Sequence, residues 1–198
     1  SACASAVAQG MQAVPEPGLV TLDDGREVLV RGIVPGDFPG VSELATDNFR
    51  HAHNFAQLDD AARQAYLQAN SIEGVREASV HPDNIACLVA VDADSGRIVG
   101  YRLVRRGVHR LDGQPVAEGK RLHVARDLVG NGLGAALVEI SAQIARQCGH
   151  SRMTAQASGN SRQFFEKLGF RCVLEQARND VLEQRNIESF IAYLERLL

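Results

Sequence analysis

Several features that would place a chain outside ordinary folded domains are missing from these 198 residues. No apolar run approaches the ~20 residues that span a bilayer. The opening stretch SACASAVAQGMQAV lacks the basic and sustained apolar regions of a signal peptide. Glycine and proline are not in excess and 45% of the residues are hydrophobic, which excludes a disordered chain. We therefore expect a folded domain with a full hydrophobic core and no membrane association.

Patterns typical of metal sites and nucleic-acid binding are also missing. The four cysteines form no CxxC pair, and none has zinc-ligand spacing with a histidine. His51 and His53 are two residues apart, so a helix would not place both on one face. The net charge is −3, whereas a nucleic-acid-binding domain is usually basic. We expect no metal, no nucleic-acid partner and, from the cysteine pattern, a reducing, cytoplasmic setting.

Charge is unevenly distributed along the chain. Residues 35–94 contain ten acids and three arginines, whereas residues 101–126 contain seven Lys or Arg and two acids. Two solvated faces would explain this asymmetry. A basic region for a phosphorylated ligand beside an acidic region for a cationic one would also explain it.

The order of predicted elements indicates a mixed α/β domain. Small residues and prolines predict an N-terminal arm over residues 1–24, and residues 25–198 read as a single domain. Hydrophobic periodicity predicts a strand, two helices, a β-meander and then β-α-β-α-β. The tail 187–198 fits either a strand or a helix.

A glycine-rich turn is the clearest functional signal. Gly130, Gly132 and Gly134 alternate directly before an amphipathic helix, which predicts positive φ, close backbone approach and free helical N–H groups. Such a turn binds phosphate, because the helix dipole also favours an anion there. A tight turn that serves packing alone is the alternative.

A dinucleotide-binding oxidoreductase is a second interpretation of this turn. Gly130, Gly132 and Ala135 satisfy the pattern G-x-G-x-x-G/A. However, five residues separate the preceding strand from Gly130, and no acid lies between Glu139 and Glu166 to hold a ribose. A P-loop is excluded because no Gly-Lys-Ser/Thr follows.

Two motifs resemble those of the GNAT superfamily, the acetyl-CoA-dependent N-acetyltransferases. Val129-Gly130-Asn131-Gly132-Leu133-Gly134 occupies the frame of the family motif Q/R-x-x-G-x-G/A. About thirty residues later, the segment 164–170 (FFEKLGF) resembles the family signature F-Y-E-K-x-G-F. The resemblance covers roughly residues 26–198. It implies a central mixed, mostly antiparallel sheet flanked by helices and splayed between its strands four and five.

The resemblance also implies where acetyl-CoA binds. Backbone groups of Leu122 and Val124 would bond to the pantetheine arm in the splayed gap, and N–H groups from Val129 to Ala135 would hold the pyrophosphate. Asn160 and residues 164–167 would flank the far end of the ligand. The residues implied in acetyl-CoA binding are Leu122, His123, Val124, Val129, Gly130, Asn131, Gly132, Leu133, Gly134, Ala135, Asn160, Phe164, Phe165 and Lys167.

Two positions depart from the family pattern. Val129 replaces the usual Gln or Arg, a position that contributes mainly its backbone N–H. Phe165 replaces a Tyr that many members use as general acid toward the thiolate. The thiolate could leave unaided because a thiol has a pKa near ~8.5. Tyr101 or Tyr193 could also substitute.

The implied activity is direct transfer of an acetyl group to a primary amine. Because the amine must lose a proton, a general base is needed, and Glu118 is the candidate, with His123 a weaker one. The acceptor would be a small molecule or a peptide, and a tail strand could pair two copies into a homodimer. Because of Phe165, a GNAT-like protein that binds acyl-CoA without turnover is the alternative.

Overall fold

A computed structural model describes residues 16–52, 55–157, 160–177 and 190–198. Its framework is an eight-stranded sheet in the order β1-β2-β3-β4-β5-β6-β8-β7. The strands are β1 Gly18–Thr21, β2 Glu27–Gly32, β3 Asn84–Asp92, β4 Ile98–Val108, β5 Pro115–Val124, β6 Arg152–Ala157, β7 Arg171–Ala177 and β8 Phe190–Leu197.

Five α-helices flank this sheet. They are α1 Phe38–Arg50, α2 Asp60–Ala69, α3 Ile72–Ser79, α4 Leu133–Gln147 and α5 Asn160–Lys167. Asp59 and Ser71 begin α2 and α3, because each side chain accepts a hydrogen bond from a free N–H of the first turn. Helix α1 begins after a short 3₁₀ turn, Pro35–Asp37.

The sheet is antiparallel except where β5 meets β6. Strands β1 to β5 pair in sequence order, and the register shifts at bulges in the β3–β4 and β4–β5 pairs. Strands β5 and β6 are parallel and pair at only two positions, Ala117 with Met153 and Glu118 with Thr154. Beyond these two positions, β5 continues to Val124 and β6 to Ala157, but the two strands no longer pair with each other. The sheet therefore opens into a wedge between them.

The two faces of the sheet carry different helices. On one face α4 packs its apolar side on β3, β4 and β5, where Leu133, Leu137 and Ala142 are fully buried. On the other face α1 packs on β4 and β5 and against α3. Burial of these apolar surfaces is the main stabilising contribution to the domain.

The predicted fold class is confirmed, and two elements were missed. The structure adds β1, which lies inside the expected arm of residues 1–24 and pairs with β2. It also adds α3, so three helices rather than two precede the meander. Because β1 comes first, the splayed strands expected as four and five are β5 and β6. The part of the tail that is described, Phe190–Leu197, is a strand.

The structure also bears on the cysteines, on membrane-spanning helices and on metal binding. Cys87 and Cys172, both among the described residues, are free thiols. Among the described residues, no helix has the length and apolar character needed to cross a membrane. The same residues contain no group of three or more His, Cys, Asp or Glu arranged to hold a metal ion, and His53 lies outside them.

Candidate functional site

The glycine turn forms the entrance to α4. After the 3₁₀ turn Arg126–Leu128, Gly130 and Gly132 take φ of 86° and 87°, and Gly132 is the N-cap residue of α4. Glycine adopts this left-handed conformation without the penalty that a Cβ imposes. The first N–H groups of α4 have no intrahelical partner, so the turn presents backbone donors at the positive end of a helix dipole.

Helix α5 closes one side of this turn. A Cβ added to Gly134 would lie 3.2 Å from the Phe164 ring, so the two backbones approach closely because residue 134 has no side chain. Phe164 packs edge-on against Phe165, and Phe165 against Phe170. These aromatic contacts fix α5 relative to the turn.

The wedge between β5 and β6 joins this turn to form a cavity of about 670 Å³, here called the gap cavity. This volume lies in the range typical of small-molecule sites. The unpaired edges of β5 and β6 offer backbone groups that a ligand with amide groups could satisfy. The cavity is lined by Asp23, Arg102, Gly119, Lys120, Arg121, Leu122, Val124, Leu128, Val129, Gly130, Gly132, Gly134, Ala135, Ala155, Gln156, Ser161, Phe164 and Phe165.

A second cavity lies on the opposite face of the sheet, between helices α2 and α3 and strands β4 and β5. This helix-side cavity measures about 600 Å³ and shares Lys120 and Arg121 with the gap cavity. The two cavities therefore meet at the same short stretch of β5. This arrangement would let two ligands approach the same stretch of β5 from opposite faces of the sheet.

Glu118 lies at the point where β5 and β6 last pair. Its side chain is about one-fifth exposed, and Lys120 Nζ lies 3.2 Å from its carboxylate. It also packs over Gly107, where a Cβ would collide with the Glu118 carboxylate. Glu118 pairs in the β4–β5 register with Arg105, which donates a hydrogen bond to the Ala78 carbonyl of α3. The carboxylate is thus on the helix-side face.

The sequence matches the family model of the acetyltransferase (GNAT) family over residues 40–170. This match spans well over half of the chain. The chain belongs to the GNAT acetyltransferase family. Membership supports an acyltransferase that uses acetyl-CoA, and the glycine turn, the wedge and α5 all lie within or beside the matched segment.

Solved structures with the same fold include other GNAT proteins. PaiA N-acetyltransferase from Thermoplasma acidophilum, in complex with coenzyme A, is 16% identical, with a TM-score of 0.63 over 86% of this chain and 99% of that one. The Salmonella typhimurium protein yncA, with its cofactor acetyl-CoA, is 19% identical, with a TM-score of 0.59 over 86% and 94%. The GNAT domain of S. lividans PAT is 20% identical, with a TM-score of 0.60 over 92% and 97%. The comparison with curated proteins found no match.

Most of the residues implied by the GNAT resemblance line the gap cavity. Those that line it are Leu122, Val124, Val129, Gly130, Gly132, Gly134, Ala135, Phe164 and Phe165. Leu133 instead buries its side chain in the core, so it can offer only backbone groups to a ligand. Lys167 is exposed and Asn131 is partly buried, and neither lines the cavity. The side chain of Asn160 lies outside the described residues.

His123 points away from the gap cavity. Its ring is parallel to that of Tyr101, with centroids 6.3 Å apart, on the helix-side face. Burial, with a contribution from the positive charge of Arg121, lowers the pKa of His123 to about 4. The imidazole is therefore uncharged at neutral pH, and it is too weak a base to deprotonate an amine efficiently.

Neither tyrosine suggested as a substitute for the missing family Tyr lines the gap cavity. Tyr101 is fully buried, its hydroxyl lies beside Cys87, and burial raises its pKa. The Tyr193 hydroxyl accepts a hydrogen bond from the backbone N–H of Arg110, away from the wedge. Among the described residues, the structure therefore places neither hydroxyl in the lining of the gap cavity.

Sequence reasoning missed several residues that line the gap cavity. Asp23 lies beside the glycine turn because its backbone N–H donates to the Asn131 carbonyl, 3.0 Å away. Arg102 reaches the cavity from β4. No local pattern marks either residue, because both depend on contacts between distant segments.

A cavity larger than the gap cavity lies elsewhere. It measures about 890 Å³ and lies between α1, the β3–β4 turn and the end of β5. Most of its charged groups are paired with one another, as in Arg31 with Asp37, Arg126 with Asp47 and Arg97 with Asp127. Because its charges are paired and none of the turn glycines lines it, it is a weaker candidate for the acetyl-CoA site.

Proposed function

We infer that this GNAT protein transfers an acetyl group from acetyl-CoA directly to a primary amine. The observation that carries this inference is the meeting of the gap cavity and the helix-side cavity at Lys120 and Arg121 of β5. One cavity has the backbone donors and open strand edges that suit CoA. The other opens on the face that carries Glu118.

The residues of the gap cavity fit the parts of CoA. The free N–H groups from Gly130 to Ala135 suit the pyrophosphate, and the Gly132 conformation keeps the backbone open to it. The β5 edge from Gly119 to Val124 suits the amides of the pantetheine arm, which needs hydrogen-bond partners at each peptide-like group. Asn48 Nδ2 already donates to the Val124 carbonyl, which retains a second lone pair.

Glu118 is the proposed general base. A primary amine is mostly protonated at neutral pH and must lose a proton before it can attack a thioester. The Glu118 carboxylate lies at the wedge vertex on the face where an amine would enter, and it can accept that proton directly or through water. Lys120, 3.2 Å away, holds the carboxylate in place.

Release of free thiol with a panel of small-molecule and peptide amines tests this function. We expect acetyl-CoA consumption that depends on an amine, and a fall in kcat of about 100-fold in Glu118→Gln. Acetyl-CoA binding should persist in that variant. Glu73→Gln, an exposed ion-pair substitution on α3, serves as the control and should leave kcat unchanged.

A protein that binds acetyl-CoA without turnover is the second candidate. Phe165 favours it, because a phenyl ring lines the gap cavity at the family's usual Tyr position and cannot donate a proton to a thiolate. Saturable acetyl-CoA binding with no thiol release for any amine would support this alternative. The identity of the acceptor and a homodimeric state remain proposals.

A further inference from the structure

The guanidinium of Arg102 is a buried cation without an acidic partner. The side chain of Arg102 is 1% exposed, on β4. Its Nε donates to Ser141 Oγ at 3.1 Å, and its Nη2 lies 3.5 Å from Met153 Sδ, a weak acceptor. Within the described part of the chain, Nη1 makes no hydrogen bond and no carboxylate pairs with the group.

Burial alone shifts the titration of this group. It lowers the pKa of the Arg102 guanidinium to about 10, so the side chain still carries its charge at neutral pH. A buried, unpaired charge destabilises a folded protein, since the protein has replaced its hydration with too few partners. A ligand that supplied an anion would remove that penalty.

The unsatisfied end of Arg102 faces the gap cavity at its vertex. A Cβ added to Gly119 would lie 3.0 Å from both Nη1 and Nη2 and equally close to the Thr154 carbonyl. Only glycine at this position lets the guanidinium lie against the β5 backbone. Arg102 and Gly119 both line the cavity, at the end opposite the glycine turn.

The charges along the cavity are arranged by depth. Asp23, its one described acidic lining residue, lies at the glycine turn. Lys120, Arg121 and Arg102 line the vertex end, and Lys120 is partly neutralised by Glu118. With the pyrophosphate on the turn and the pantetheine arm along β5, the acyl group of the thioester reaches this cationic end.

We propose that Arg102 binds a carboxylate at the distal end of the acyl group, so that the preferred donors are short dicarboxylic acyl-CoA thioesters. This inference rests on the proposed function and refines its donor. A guanidinium offers two parallel N–H donors that match a carboxylate, and such charge-assisted pairs are among the stronger hydrogen bonds. An acetyl group would leave the same guanidinium unpaired.

Binding of two acyl-CoA thioesters to the wild-type protein tests the proposal. Succinyl-CoA carries the carboxylate, and butyryl-CoA has the same acyl backbone length without it. We expect calorimetry without any acceptor to show at least about tenfold tighter binding of succinyl-CoA. Equal affinities, or tighter binding of butyryl-CoA, would overturn the proposal on wild-type data alone.

Variants assign the preference to Arg102 itself. In Arg102→Met, which keeps an unbranched apolar stem but removes the charge and the N–H donors, the preference should disappear while CoA binding persists. In Lys120→Met the preference should remain, because that charge is already paired with Glu118. Loss of the preference in Lys120→Met with retention in Arg102→Met would refute the assignment.

Unmodified CoA separates this inference from the proposed function. If CoA and acetyl-CoA bind but succinyl-CoA and butyryl-CoA bind with equal affinity, only the proposed role of Arg102 is refuted. If neither CoA nor any thioester binds, the proposed function falls with it.

Discussion

Asp23 places a carboxylate where an anionic ligand is expected to bind. A Cβ on Gly132 would lie 3.3 Å from Asp23 Oδ1, and Asp23 lines the gap cavity beside the free N–H groups of α4. A pyrophosphate held by these N–H groups would lie near the carboxylate, and like charges near a protein surface repel measurably at low ionic strength. The residue therefore opposes pyrophosphate binding unless it moves when the ligand enters.

Replacing this carboxylate by an amide should tighten CoA binding. For Asp23→Asn we expect an affinity roughly threefold to tenfold higher in calorimetry at low salt, with a smaller gain at high salt. Asp24→Asn is the matched control, because the Asp24 carboxylate bonds to Arg26 and does not line the cavity. Weaker binding by Asp23→Asn would show instead that the carboxylate accepts a hydrogen bond from the ligand.

The arginines of β4 show how much one residue's role depends on its surroundings. Residues 102, 105 and 106 are all arginine and lie within the basic stretch 101–126. Arg106 is exposed and lies 3.9 Å from Asp83, whereas Arg105 bonds to Asn84 and α3 and Arg102 is buried under α4. Their positions relative to the helices give these arginines different environments.

At the scale of elements, the entrance of α4 depends on a left-handed residue. Gly132 has φ of 87° and lies at the mouth of the gap cavity. Gly149, just past the other end of α4, has φ of 89°, but no atom lies within 4 Å of where its Cβ would be. The two glycines therefore share the same backbone requirement, but only at residue 132 would a Cβ approach another side chain, that of Asp23.

This pair separates backbone strain from ligand binding. Gly132→Ala and Gly149→Ala should each lower the free energy of unfolding by about 1 kcal/mol, because alanine is strained at positive φ. Only Gly132→Ala should also weaken CoA binding, by at least about tenfold, since relief of the strain moves the turn. Chemical denaturation and calorimetry measure the two effects. Equal CoA affinity in both variants would mean that the turn does not contact the ligand.

Strand β1 and helix α3 are the elements that sequence patterns did not reveal. Strand β1 is short, from Gly18 to Thr21, and follows a proline-rich stretch that resembles a flexible arm. Helix α3 has eight residues and includes Gly74, and its apolar positions are too few to show a clear period. Both elements depend on neighbours for stability, since β1 pairs only with β2 and α3 packs against α1 and α2.

At the scale of the whole molecule, β8 joins the last part of the chain to the sheet. It lies between β6 and β7 and pairs antiparallel with both. Glu195 on β8 is 5% exposed and accepts hydrogen bonds from Arg171, Arg152 and His109. His109 follows β4 directly, so this carboxylate connects the meander to the second half of the sheet.

Removal of the Glu195 charge should destabilise the whole domain. Glu195→Gln removes the carboxylate that accepts hydrogen bonds from Arg171 and from His109 Nε2, whereas Arg152 keeps its pair with Asp112. We expect a loss of about 2 kcal/mol in the free energy of unfolding near neutral pH. Glu73→Gln, which removes an exposed pair with Arg76, should change the midpoint of denaturation very little. Comparable losses in the two variants would contradict a special role for the buried network.

The same network predicts how stability depends on pH. Burial alone would raise the pKa of Glu195, but the hydrogen bonds from Arg171 and His109 outweigh it and hold the pKa below its ordinary value of 4.5. A carboxyl whose pKa is lower in the folded state stabilises the protein above the unfolded pKa, and this stabilisation is lost as pH falls. The difference between wild type and Glu195→Gln should therefore shrink below about pH 4.5.

The sequence by itself determined the element types, the glycine turn and the family. The alternating glycines before an amphipathic helix and the FFEKLGF segment are local patterns. Such patterns can be recognised in the sequence because all of their residues are close together in the chain. Through the family resemblance they predicted the splayed sheet and half of the residues that line the gap cavity.

Only the tertiary structure decided which distant side chains enter that cavity and with what charge. Asp23 arrives from before β2 and Arg102 from β4, and His123 turns to the other face because neighbouring residues of a strand alternate. The guanidinium of Arg102 loses its hydration because α4, β5 and β6 pack around it. That packing supplies no carboxylate to replace the lost water. No pattern of neighbouring residues encodes that enclosure, because it arises where separate elements meet.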